Sequence, residues 1–119
     1  MRRGVSWIVS CALLLTIGGP AAGREVVRGR VSPDYGFAPA DIVVQAFIET
    51  DVLNRAISFV IESPQFYESS STELEGDRAP RTKEVRFRML PAGSYEVTVT
   101  VYGGNEQPRG RFVSHVELW

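Results

Sequence analysis

Strict alternation of apolar and polar residues constrains this chain more than any other feature of its sequence. In residues 94–102 an apolar side chain recurs at every second position, at Tyr95, Val97, Val99 and Val101. A period of two is typical of a β-strand with one buried face. No segment shows the 3.6-residue period of an amphipathic helix. The pattern therefore predicts an all-β protein.

Similar segments recur along the chain, separated by turns rich in glycine and proline. Besides residues 94–102, we predict strands at residues 25–31, 41–49, 54–62, 83–90 and 112–118. Residues 63–80 are less regular and are predicted to form a long loop or a weak hairpin. Short strands at short intervals, divided by turn signals, are typical of a sandwich. We therefore predict an antiparallel Greek-key β-sandwich of about six to seven strands.

The first 23 residues are predicted to be a secretory signal peptide. Arg2 and Arg3 give a positive start, and an apolar run of about 13 residues follows. Ala21 and Gly23 satisfy the small-residue rule for cleavage after Gly23. Spanning a bilayer takes about 20 apolar residues, and no second apolar stretch follows this leader. We therefore expect no stable membrane span once the leader is removed.

Cys11, the single cysteine, raises the alternative of a lipidated N-terminus. A lipidated cysteine normally follows the apolar run, whereas here the run continues beyond Cys11, which disfavours that alternative. Cleavage after Gly23 would leave residues 24–119 as one domain without a thiol, held by its core rather than by disulfides. We predict that this domain is secreted or periplasmic.

The charge balance excludes some classes of partner. The chain has 13 Lys and Arg against 14 Asp and Glu, a formal net charge of -1, and it has one histidine. A protein that binds nucleic acid through bulk charge carries a basic excess, and a structural zinc site takes several Cys or His residues. We therefore expect no nucleic-acid partner, no metal and no cofactor.

Two motifs carry a resemblance to a known family. Residues 27–31 read V-R-G-R-V, and residues 87–99 read F-R-M-L-P-A-G-S-Y-E-V-T-V. With these motifs the chain resembles the carboxypeptidase regulatory-like domain, which is similar in fold to transthyretin and to starch-binding modules. The resemblance implies a prealbumin- or immunoglobulin-like sandwich. It also implies an exported accessory or interaction domain that has no catalytic residues and is sometimes associated with carbohydrate binding.

Four aromatic residues in predicted loops are the candidate ligand-binding residues: Tyr35, Phe37, Phe66 and Tyr67. Aromatic rings that stay exposed on loops can stack on sugar rings, whereas rings that tuck under their own loops only stabilise the fold. Trp119, the last residue, is expected either to cover a strand edge, to contact a partner, or to fray.

These observations lead to three hypotheses of function. The first is a non-catalytic exported module that binds an envelope protein or a glycan. The second is a carbohydrate-binding module, which predicts that the candidate aromatic rings form a coplanar exposed strip. The third is a small hydrolase that uses His115, which requires a serine and a carboxylate within hydrogen-bond reach of that histidine. No Gly-x-Ser-x-Gly elbow frames a serine nucleophile in the sequence, so we expect no enzymatic activity.

Overall fold

A computed structural model describes residues 25–119 of the chain. The predicted signal peptide and its cleavage site after Gly23 lie outside these residues. Two β-sheets pack together around one apolar core, so the predicted all-β sandwich is confirmed. The strands are β1 (Val27–Ser32), β2 (Tyr35–Gly36), β3 (Ala40–Ile48), β4 (Ala56–Ser63), β5 (Phe66–Glu73), β6 (Thr82–Leu90), β7 (Gly93–Tyr102) and β8 (Pro108–Leu118). Two 3₁₀ turns, Gly76–Arg78 and Gly104–Glu106, interrupt the connections.

The two sheets differ in size. The smaller sheet has the order β1-β3-β6 and the larger sheet the order β2-β8-β7-β4-β5. Every pairing is antiparallel except that of the two-residue β2, which runs parallel to β8. The described residues thus contain eight strands rather than the six or seven predicted. The excess comes from β2 and β5, which lack an alternating apolar pattern.

The core is formed by the inward faces of both sheets. On β7, the four residues at alternate positions from Tyr95 to Val101 are at most 1% exposed, as the alternation predicted. Phe59 from β4 and Phe87 from β6 are the other two large aromatic side chains buried with them. Burial of each such side chain contributes about 1.5–3 kcal/mol before the cost of ordering the chain is subtracted.

β5 lies in the region for which a long loop or a weak hairpin was predicted; the first part of that region forms a strand that completes a hairpin with β4. Its eight residues pair with β4 without interruption, from Ala56 opposite Glu73 to Ser63 opposite Phe66. The strand reads F-Y-E-S-S-S-T-E. Phe66 is half-buried, and none of the other seven residues is both apolar and buried. Pairing with the backbone of β4, rather than burial of side chains, therefore makes this segment a strand.

The end of β6 departs from the predicted alternation. Val85, Phe87 and Met89 stand at alternate positions in the sequence, which predicts that Met89 shares the inward face of Phe87. The side chain of Met89 is instead 67% exposed, and Leu90 is buried. A β-bulge causes the difference, because the register with β3 shifts here and Met89 has a φ of 54°. The backbone N–H of Met89 donates to Oδ1 of Asp41 at 2.9 Å, which holds the bulge in place.

The side of the sandwich at β1 is closed by close approach to β8. An added Cβ at Gly29 would lie 2.5 Å from ring carbons of Phe112, and one at Gly110 would lie 2.7 Å from Cβ of Val26. Two glycines thus let the two strands approach each other more closely than any side chain would allow.

Candidate functional site

An exposed aromatic cluster, consisting of Tyr35, Phe37 and Trp119, lies at β2 and the last residue of the chain. The centroid of the Trp119 ring is 6.3 Å from that of Tyr35 and 6.3 Å from that of Phe37. The corresponding interplanar angles are 79° and 52°. The rings therefore pack on one another and do not form the coplanar strip predicted for a sugar-binding platform.

The backbone holds the aromatic cluster in place. The N–H of Trp119 donates to the carbonyl of Gly36 at 2.9 Å, and the N–H of Ala38 donates to the carbonyl of Trp119 at 2.7 Å. Of the three expectations for Trp119, fraying is therefore wrong, and the residue is bound at the edge of β2. The cluster could not be predicted from local pattern, because Trp119 is more than 80 residues from Tyr35 and Phe37 along the chain.

The other two candidate residues lie elsewhere. The ring of Phe66 is half-buried and meets the ring of Tyr95 edge to face, with a centroid distance of 5.8 Å. Tyr67, the next residue of β5, points to the opposite face of the sheet and is 64% exposed. Of the four predicted ligand-binding residues, Phe66 thus packs against the core, Tyr35 and Phe37 belong to the aromatic cluster, and Tyr67 stands alone.

Tyr67 lies at one end of a groove on the outer face of the larger sheet, which we call the sheet groove. The volume of the groove is about 830 Å³. Its floor consists of small side chains from the outer faces of β4 and β5: Ala56, Ser58, Val60, Ser69 and Ser71. Its far end is formed by Tyr102 and the turn at residues 103–106. Because Tyr67 and Glu73 are six residues apart on β5, the groove runs about 20 Å along the strand.

Few charged side chains line the sheet groove. They are Arg55, Glu73 and Glu106. The guanidinium of Arg55 is fixed by donating to the carbonyl of Val52 at 2.6 Å and to that of Asn54 at 3.1 Å. The middle of the groove carries hydroxyl groups, which both donate and accept hydrogen bonds. The groove was not predicted, because the alternatives for residues 63–80, a long loop or a weak hairpin, did not include a strand paired with β4.

A smaller hollow of about 380 Å³ lies next to His115 on the same face of the larger sheet. The side chain of His115 is 76% exposed, and its Nε2 is 3.8 Å from Oε2 of Glu96. Ser94 lines the same hollow, but its hydroxyl donates to the carboxylate of Glu117, 2.9 Å from Oε1. The serine is thus bonded to a carboxylate rather than to the histidine. This geometry does not assemble the Ser-His-carboxylate relay that the hydrolase hypothesis requires.

Within residues 25–119, no three or more His, Cys, Asp and Glu side chains come together in a way that could hold a metal ion. The same range contains no helix with the length and apolar character needed to cross a membrane.

Burial raises the pKa of the Tyr95 hydroxyl, which therefore remains a proton donor.

Comparison with known proteins supports the fold. No family model matches the chain, and no curated protein matches it. Among solved structures, it is similar to a family 76 glycoside hydrolase from a bovine Bacteroides thetaiotaomicron strain, with a TM-score of 0.55 and 19% identity over 79% of this chain. The chain spans only 20% of that enzyme.

Two smaller proteins match over most of their length. The superoxide reductase (neelaredoxin) from Ignicoccus hospitalis has a TM-score of 0.55 and 10% identity, and 80% of this chain covers 81% of it. The PmoD soluble domain from Methylocystis sp. ATCC 49242 (Rockwell) has a TM-score of 0.53 and 12% identity, and 82% of this chain covers 94% of it. The shared feature is the β-sandwich. The resemblance to the carboxypeptidase regulatory-like domain is confirmed at the level of this fold, and at the level of the family it stays a prediction.

Proposed function

We propose that this protein is an exported, non-catalytic module that binds a glycan chain in the sheet groove. The observation that carries the proposal is the lining of the groove, in which the exposed ring of Tyr67 adjoins a floor that presents the hydroxyl groups of Ser58, Ser69 and Ser71. A non-catalytic role is supported by the hollow beside His115, where Ser94 is bonded to Glu117 instead of the histidine.

The chemistry of the groove fits a sugar better than other ligands. A pyranose ring offers an apolar face to an aromatic ring and hydroxyl groups to polar side chains, and Tyr67, Ser69 and Ser71 supply both kinds of contact. An elongated groove of about 20 Å suits a linear chain of sugars rather than a single compact ring. With one arginine against two glutamates in the lining, the groove suits a neutral glycan rather than a polyanionic one.

Glycan binding is tested with the full chain on an array of neutral oligosaccharides derived from cellulose, xylan, mannan and chitin. We expect binding to at least one of them, and Tyr67→Ala should raise the dissociation constant about tenfold or more, since it removes the stacking ring. The matched control is Tyr35→Ala, because Tyr35 is 66% exposed and lies outside the groove. Failure to bind any of these oligosaccharides, or loss of binding by Tyr35→Ala alone, would contradict the proposal.

Export is tested by the intact mass of the protein purified from the organism that makes it. We expect a chain that begins at Arg24, because the leader ends in the small residues Ala21 and Gly23. A species that retains residues 1–23, or one that begins at a lipidated Cys11, would overturn this part of the proposal.

A further inference from the structure

The two sheets formed by residues 25–119 have four edge strands, and three of them carry features that prevent pairing with another chain. β2 is only two residues long, and β1 is closed against β8 by the contact between Gly29 and Phe112. β6 ends in the bulge at Met89 and carries three basic residues along its length, Lys83, Arg86 and Arg88. Short length, closure, charge and bulges all keep an edge from adding a strand.

The edge of β5 is neither short, closed nor bulged, and its charged residues are two glutamates, Glu68 and Glu73. The strand is eight residues long, contains no proline, lysine or arginine, and keeps a continuous register with β4. Its middle, residues 69–72, consists of three serines and a threonine. A long, regular edge without basic residues or bulges is the kind of surface on which another strand forms main-chain hydrogen bonds.

The register identifies which backbone groups are available at this edge. The N–H of Leu74 donates to the carbonyl of Arg55 at 2.8 Å, so this position of the hairpin bonds toward β4. In an antiparallel pair, bonding positions alternate with positions whose N–H and C=O point the other way. On β5 the outward-pointing positions are therefore Tyr67, Ser69, Ser71 and Glu73.

We propose that a second copy of this chain pairs with β5 in antiparallel orientation, about a two-fold axis at Ser70. This register places Tyr67 opposite Glu73 of the second copy and Ser69 opposite Ser71 of the second copy, so all outward-pointing backbone groups find partners. A shift by two residues in either direction leaves one end of the strand unpaired.

Hydrogen-bond complementarity between side chains favours a second copy in this register. The two acidic residues of β5 are Glu68 and Glu73. In the proposed pair Glu68 faces Thr72 of the second copy and Glu73 faces Tyr67 of the second copy, so each carboxylate meets a hydroxyl that can donate to it. No like charges lie directly opposite each other. The two larger sheets become one continuous sheet, with both sheet grooves on the same face.

Disulfide trapping tests the register directly. The full chain carries the Cys11→Ser change, which leaves the introduced cysteine as its single thiol. Opposing residues at a non-hydrogen-bonded position have Cα atoms about 4.5 Å apart, a distance that a disulfide spans, so Ser70→Cys should give a covalent dimer under mild oxidation. The matched control is Thr72→Cys, since the two Thr72 positions are four residues out of register and about 13 Å apart.

The comparison is conservative, because Thr72 is exposed whereas Ser70 is half-buried. A thiol at position 72 is therefore the more accessible of the two to random collision. We expect several-fold more dimer from Ser70→Cys than from Thr72→Cys. Equal yields from the two variants, or no dimer from Ser70→Cys, would overturn the proposal.

Sedimentation equilibrium of the unmodified chain provides a second measurement. Ser69→Pro removes an N–H that points to the free edge, and Ser69→Ala keeps it. We expect a concentration-dependent dimer for the unmodified chain and for Ser69→Ala, and a folded monomer for Ser69→Pro. An unmodified chain that is monomeric at every concentration contradicts the proposal. If Ser69→Pro fails to fold, the two cysteine variants still decide it, and none of these results depends on glycan binding.

Discussion

Tyr95→Ala is expected to lower the free energy of unfolding by about 3–5 kcal/mol, comparable with the whole stability of a domain of this size. Tyr95 is 1% exposed and is the largest of the fully buried side chains. Its hydroxyl donates to the carbonyl of Pro91 at 2.5 Å, and the ring of Phe66 packs edge to face against it. The substitution removes the ring from the core and leaves a buried cavity. It also leaves the Pro91 carbonyl without this donor.

Two control variants separate the contributions of Tyr95. Tyr95→Phe keeps the ring and removes the hydrogen bond, so it should cost about 1 kcal/mol. Thr98→Ala alters the outer face of the same strand and should cost less than about 1 kcal/mol. Urea denaturation of the three variants gives the comparison. If Thr98→Ala proves more damaging than Tyr95→Ala, the two faces of β7 have been assigned in reverse.

The predictable parts of this fold are those whose residues alternate. In β7 and β1 the buried face follows directly from the spacing of apolar side chains, because burial alone selects one of the two faces. The connection before Tyr95 can also be predicted from the sequence, because Pro91 and Gly93 are turn signals that interrupt the alternation and Tyr95 resumes it.

The unpredicted parts depend on contacts between distant segments. β5 is rich in serine and has no alternating apolar pattern, and its pairing with the backbone of β4 makes it a strand. The exposure of Met89 follows from a bulge that depends on Asp41 in another strand. Trp119 is held by a parallel pairing with residues near the start of the domain. Of the predicted site residues, only Tyr67 lies in the sheet groove. The groove itself could not be predicted, because it is formed by the pairing of β4 with β5.

Gly29→Ala is expected to destabilise the protein by about 1–3 kcal/mol, although it adds a single methyl group. The new Cβ would lie 2.5 Å from two carbons of the Phe112 ring, a distance at which β1, β8 or the ring must move. Movement of β1 would also loosen the contact between Val26 and Gly110. Thermal and urea unfolding of the variant measure the effect.

Gly36→Ala is the matched control, because the same methyl group added there meets only Cδ2 of Leu118 at an ordinary 4.0 Å. That change should be neutral or slightly stabilising, since alanine restricts the unfolded chain more than glycine does. In a chain that carries Phe112→Ala, Gly29→Ala should cost far less than it does alone, because the ring it strikes is gone. If Gly29→Ala is as mild as Gly36→Ala, then β1 does not press against β8. In that case the edge of β1 is open to pairing, and β5 is no longer the single unprotected edge among the strands that the structure describes.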